Sequence, residues 1–213
     1  MTQAKKLLAE IISIVESKIV ESKLKRLGFR KTKSIYVCPL AEDACGWLGL
    51  STATHRSDGR VGINPVVGVR HERIEKMLED LLRESRASAT ISIPLGYLTP
   101  DRRFLEWLFE PPPFDCRSEC ERMVQTVELY GIPFMKSKTR LEDLLQDLEQ
   151  LRFTVREKAV YRVPIAYLLS GKTEMAEATV KKQLAELEPH NDLFAQAYKR
   201  FASSFLQRVS LST

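Results

Sequence analysis

The sequence predicts an α+β fold: an antiparallel sheet of about four strands flanked by helices, followed by an all-helical C-terminal half. Three observations carry that expectation. Runs rich in β-branched and aromatic residues crowd the stretch from Ser34 to Val69, with Asp58-Gly59 as a hairpin signal among them. Apolar residues at helical spacing bracket that stretch on both sides. From Asp115 onward the pattern is helical almost without interruption, and strands followed by a run of helices is the α+β order.

The elements follow in chain order. Ala4 to Leu27 reads as an amphipathic helix on Leu7, Leu8, Ile11, Ile14, Val15, Ile19 and Leu24, closed by Gly28. Strands are expected over Ser34–Pro39, Gly46–Thr54, Arg60–Val69 and Ala89–Leu98. Pro65 removes a ladder donor, so an edge position or a bulge is expected there. Between the third and fourth strands, His71–Arg86 is helical, with Ile74, Met77, Leu78, Leu81 and Leu82 on one face. Thr99-Pro100-Asp101 suits a helix start, and a short helix to Phe109 would bury Phe104, Leu105, Trp107 or Leu108.

Pro111-Pro112-Pro113 is the sharpest break, because proline fixes its own φ and restricts its predecessor. It sets the expected division into a sheet region over residues 1–113 and a helical region over 114–213, packed together as one unit. Asp115–Leu129 is the next helix, ended by Gly131, and Ile132–Met135 a short extended piece. Thr139-x-x-Glu142 fits a capping box opening Leu141–Leu151. Thr154–Ser170, with Pro164 as a kink and Gly171 as its end, Thr173–Leu187 and Asp192–Val209 complete the chain. Ala166 to Gly171 with Ala176, Ala178 and Leu184 is similar to part of a tetratricopeptide-type unit. No second copy follows at a fixed period, so an ordinary antiparallel helix pair is expected.

Composition bounds the function. The chain has 213 residues, 44% hydrophobic and 29% charged, enough to bury a core without metals or disulfides. No apolar run approaches the ~20 residues of a membrane span, and Ile11–Val15 is too short for a signal sequence, so the cytosol is the expected compartment. The net charge is +5. Basic residues cluster at Lys23, Lys25, Arg26, Arg30, Lys31 and Lys33, and again at Lys136, Lys138 and Arg140. Such clusters suit nucleic acid or an acidic protein, or simply a solvated helix end and loop.

No catalytic, cofactor-binding or metal-ligating set emerges. His55, His71 and His190 form no metal-spaced pair and are expected at the surface or as caps. Cys38, Cys45, Cys116 and Cys120 could in principle surround a zinc ion, but no Cys-x-x-Cys knuckle is present. They read as small buried hydrophobes. Ser170-Gly171-Lys172-Thr173 lacks the leading glycine and strand of a phosphate loop, so it reads as a helix end. The neighbours Glu79 and Asp80, like Glu142 and Asp143, diverge by ~100° on a helix and cannot converge on one substrate. Trp47 and Trp107 suit the core; Tyr36, Phe114 and Tyr130 suit the core or a partner.

Two segments carry a family resemblance. One is Leu27-Gly28-Phe29-Arg30-Lys31 after an amphipathic helix, leading through three strands to Gly62-Ile63-Asn64. The other is Tyr130-Gly131-Ile132-Pro133-Phe134, followed by a helix opening near Thr139. Over about residues 1 to 150 this order resembles DUF4304-type bacterial domains, without the glutamine their second strand often carries. Some domains of that kind look like immunity proteins, which bind and occlude a toxin. The resemblance therefore implies a non-enzymatic protein-binding module with a protein partner and no cofactor. The alternatives are a nucleic-acid-associated protein using residues 23–33, and an enzyme with a dispersed site.

Overall fold

A computed structural model describes residues 13, 21–54, 60–84, 87–109 and 117–211. The fold is α+β, with an antiparallel sheet and a helical C-terminal half. The strands are β1 (Arg30–Thr32), β2 (Ile35–Ala41), β3 (Ala44–Thr54), β4 (Val61–His71), β5 (Ile91–Pro94) and β6 (Trp107–Phe109). The helices are α1 (Glu21–Arg26), α2 (Glu72–Leu82), α3 (Arg117–Thr126), α4 (Ile132–Lys136), α5 (Leu141–Glu149), α6 (Arg156–Leu169), α7 (Thr173–Leu187) and α8 (Leu193–Ser210). Among the described residues, no helix is long and apolar enough to cross a membrane. Contacts divide the chain into two compact units: Met1–Val69 with Ser92–Ser137, and Arg70–Ile91 with Lys138–Thr213.

The sheet has six strands rather than about four, in the order β1-β2-β3-β4-β5, with β6 pairing β4. The two unexpected strands are three-residue pieces. All of β1 is exposed, so no apolar alternation marks it. Strand β6 alternates buried Trp107 and Phe109 with exposed Leu108, but over too short a run to register as a period. Residues 102–109 therefore do not form the expected helix. A 3₁₀ turn, Leu95–Leu98, ends at Thr99, whose hydroxyl donates to Gly96 O at 2.8 Å. Arg102 then adopts φ 45°, a left-handed conformation that breaks a helix. Phe104, expected in the core, is 58% exposed. Pro65 does not mark an edge: β4 lies between β3 on one side and β5 and β6 on the other. Its ladder with β6 ends at Ile63, before the proline.

In the first unit α1 ends as expected. Gly28, at φ 87°, lets its own N–H donate to Lys25 O and that of Phe29 to Leu24 O, at 3.1 and 3.0 Å. Buried Leu24 and Phe29 supply the hydrophobic contact that accompanies such caps. Gly131, in contrast, ends nothing. A π-helical turn over Val127–Gly131 carries α3 straight into α4, and Gly131 keeps a helical φ of −70°. Pro133 explains this. It has no N–H to donate, which a first helical turn tolerates, and the wide turn before it resets the ladder. The approach is close there: a Cβ would stand 3.1 Å from Val67 Cγ1, so that methyl would have to give by a few tenths of an ångström.

In the second unit, α2 packs on α6 and α8, and α5, α6, α7 and α8 pack in succession. Tyr161 meets Phe201 edge-on at 4.9 Å between ring centroids, and Phe205 continues the stack along α8. Gly171, at φ 74°, closes α6 as expected, with the Lys172 N–H on Tyr167 O at 2.9 Å. Arg140, rather than the expected Thr139, holds the N-cap position of α5, and its side chain makes no cap bond.

The core of this unit holds an ion pair. Arg162 grips Glu75 with two bonds, Nε to Oε1 at 2.7 Å and Nη2 to Oε2 at 2.8 Å. Glu75 is 0% exposed and Arg162 3%. The Thr90 hydroxyl donates to Glu75 Oε1 at 2.8 Å while accepting the His71 N–H at 2.9 Å. Ser88 Oγ accepts from Arg162 Nη2 at 3.2 Å. Glu75→Ala strands a buried guanidinium and should cost about 3–5 kcal/mol, measured by urea unfolding. Replacing both partners by leucine and methionine should recover most of that loss. A Glu75→Ala protein as stable as the parent would contradict this account. Gly96→Ala should cost about 1–3 kcal/mol, because its Cβ would lie 2.8 Å from the Leu105 backbone nitrogen, which cannot swing aside. An unchanged unfolding midpoint would show that the turn yields more easily than argued.

Candidate functional site

The basic residues flagged in the sequence are distributed over different tasks. Lys23, at the start of the first cluster, pairs with Glu121 at 3.0 Å. Lys25, Arg26, Arg30, Lys31 and Lys33 are exposed on α1, β1 and the turn after it. Lys31 lies 5.8 Å from the Tyr36 ring centroid. The second cluster is split. Lys138 is committed to Asp147 at 2.7 Å, a carboxylate only 1% exposed. Arg140 makes an exposed pair with Glu142. Lys136, on the last turn of α4, lines a cleft in the first unit together with Arg26.

That cleft encloses about 780 Å³. Three short stretches build it. The cap at Gly28 turns the end of α1 so that Arg26 and Leu27 reach it. Strand β2 contributes Cys38, Pro39 and Leu40, next to the register irregularity between Pro39 and Ala41. The π-helical turn and α4 contribute Glu128, Ile132, Pro133 and Lys136. Leu27, Pro39, Leu40, Ile132 and Pro133 are each partly or fully exposed, so the floor is aliphatic and uncovered. The rim carries two cations and the Glu128 carboxylate. A shallower groove of about 280 Å³ shares Arg26, Leu27 and Glu128 and continues past Lys23 and Glu121. The arrangement can hold an apolar group between charged contacts.

The second unit has its own cleft of about 450 Å³ between α2 and α8, lined by Arg83, Arg200, Ser203 and Ser204 beside Leu81, Leu82 and Phe201. Arg83 sits at φ 54°, where a glycine would be unstrained. The Glu75–Arg162 pair was not legible as a pair. The available signal was Glu75 in line with Leu78 and Leu82 on α2, a carboxylate on the apolar face. Both its oxygens already accept bonds from Arg162 and from Thr90 or Ser88, so it is a structural pair.

The other sequence candidates scatter. His71 is buried, and it stands at the N-cap position of α2, the capping alternative, without a side-chain cap bond. His190 is exposed in the turn before α8, and His55 lies outside the described residues. Glu79 is not a solvated charge, since it accepts from Arg70 Nη2 at 3.0 Å. Tyr36 and Trp107 are buried; among the described residues, the exposed aromatic rings are Phe104 and Tyr97. Cys38 and Cys120 are buried and Cys45 half-buried, while Cys116 and Phe114 lie outside the described residues. Among the described residues, no group of three or more His, Cys, Asp or Glu is placed to hold a metal ion.

Comparison with protein-family models, with curated proteins and with solved structures finds no match.

Burial pushes the Cys38 thiol up from its ordinary value of 9.0 to about 11, outweighing a bond from the Gly46 backbone. Below pH 9 both folded and unfolded chains keep that proton. Between pH 9 and 11 the unfolded chain releases it while the folded one does not, so stability falls across this window. Cys38→Ala should therefore lose less unfolding free energy than the parent on moving from below pH 9 to near pH 11. Equal losses in urea titrations of the two proteins would contradict the assignment.

Proposed function

We propose that the chain is a non-catalytic protein-binding module that works in the cytosol by occluding its partner, and that the partner is a toxin it neutralises. The observation that carries the reading is the cleft of the first unit, with its open aliphatic floor and cationic rim. Apolar surface beside Arg, ringed by polar groups, is the make-up of protein interfaces. Tyr97 and Phe104, 45% and 58% exposed, add aromatic surface to the same unit, and aromatic rings are frequent anchors of binding energy. The likeness of residues 1 to 150 to DUF4304-type domains supplies the partner class.

A second reading, binding of nucleic acid, is favoured by one observation: Lys25, Arg26, Arg30, Lys31 and Lys33 are all exposed around β1. It ranks behind, because among the described residues no aromatic ring lines the adjoining cleft to stack a base.

Co-expression with toxin candidates encoded beside this gene should restore growth for one of them, and the two chains should copurify through an interface of roughly 1,200–2,000 Å². Failure to protect against or copurify with any candidate sinks the reading. If nucleic acid is the partner instead, DNA or RNA will shift in low salt and the shift will vanish steeply as salt rises.

A further inference from the structure

Resting on the protein-binding reading, we infer that the cleft of the first unit receives a linear segment of the partner in which an aliphatic side chain is flanked by carboxylates. Shape and chemistry of the walls select this occupant. The floor, from Leu40 on β2 to Ile132 and Pro133 on α4, offers apolar contact and, among the described residues, no aromatic face. An aliphatic side chain is stabilised there by leaving water. The rim then decides what flanks it. Arg26 and Lys136 are exposed cations on the two walls, set in a surface that also presents Lys25 and Arg30. A basic segment would meet like charge at each of them. The groove beyond shares Arg26 with the cleft, and its other cation, Lys23, holds Glu121.

Glu128 sets the limit on the charge pattern. It stands on the same rim, from the π-helical turn, and repels a carboxylate placed next to it. The occupant is therefore not a uniform polyanion. It carries carboxylates toward Arg26 and Lys136 and a neutral or donor group toward Glu128. This separates a peptide from a nucleic acid, whose phosphates recur at every step.

The test uses the full chain and a fluorescein-labelled dodecapeptide alternating glutamate and leucine. Controls replace glutamate by lysine, or leucine by serine, and a single-stranded DNA oligonucleotide serves as polyanion. Fluorescence anisotropy should show saturable binding of the Glu–Leu peptide alone, weakening with salt. R26E and K136E, both at exposed positions, should each reduce affinity roughly tenfold, as reversal of a rim charge does chiefly through the association rate. L40D should abolish binding, and E128Q should strengthen it, a gain that a merely structural role for Glu128 would not produce. Thermal unfolding of each variant confirms that it is folded. No binding of the Glu–Leu peptide, equal binding of the Lys–Leu peptide, or DNA binding with the same sensitivity to R26E and K136E overturns the inference. Repeating the toxin copurification with R26E and K136E separates the two levels. Capture that survives both variants removes this cleft and leaves the protein-binding reading standing, whereas absence of any captured toxin removes that reading itself.

Discussion

Glu75 and Arg162 lie 87 residues apart in the chain and meet at the centre of the helical unit. Taking two charges out of water costs several kcal/mol for each ion, which their attraction offsets only when the geometry is good and the remaining lone pairs are satisfied. Here both conditions hold. The guanidinium presents two parallel N–H groups to two carboxylate oxygens. Thr90 and Ser88 fill the remaining acceptor positions. The pair admits one relative placement of α2 and α6, because a slip by one residue on either helix would leave a buried charge without a partner. The aromatic stack of Tyr161, Phe201 and Phe205 adds area to the same packing, but rings tolerate sliding in a way that a bidentate pair does not.

The first unit is constrained by space rather than by charge. Gly131 allows a helix to pass close to Val67, and Gly96 allows a 3₁₀ turn to lie against the Leu105 backbone. Gly62 leaves room for the Glu106 side chain beside the short β6 ladder. The cleft is a by-product of the same economy. The α3–π–α4 segment stays continuous through Pro133, so α4 faces the end of α1 and the outer half of β2 across a trough. Its cations come from positions 26 and 136, one from each sequence cluster, and the fold leaves Lys138 to a buried carboxylate instead.

Much of the architecture was readable in advance because it depends on local chemistry. Gly28 and Gly171 end helices wherever they are met, since only glycine takes φ near +80° without strain. The β-rich stretch became β2, β3 and β4 within two residues of the expected bounds, and Leu141, Thr173 and Asp192 mark true helix starts. Asp192 caps α8 through its side chain, at 2.9 Å from the Ala195 nitrogen. The candidate site was only half legible. The basic clusters stood out, but which of their members share a cleft could not be told, because periodicity says which face a residue occupies and not what faces it.

The sequence by itself determined the α+β class and the order of the longer strands and helices. These follow from hydrophobic period, turn residues and residue spacing, all short-range properties. Tertiary structure decided the rest. It made strand β6 out of an expected helix, since Trp107 and Phe109 gain more by pairing with β4 than by a helical turn. It carried a helix through Gly131 and Pro133, where local rules end one. It also grouped α2 with the C-terminal helices and joined Glu75 to Arg162. Each of these depends on contacts between residues distant in the chain, and such contacts leave no period in a sequence.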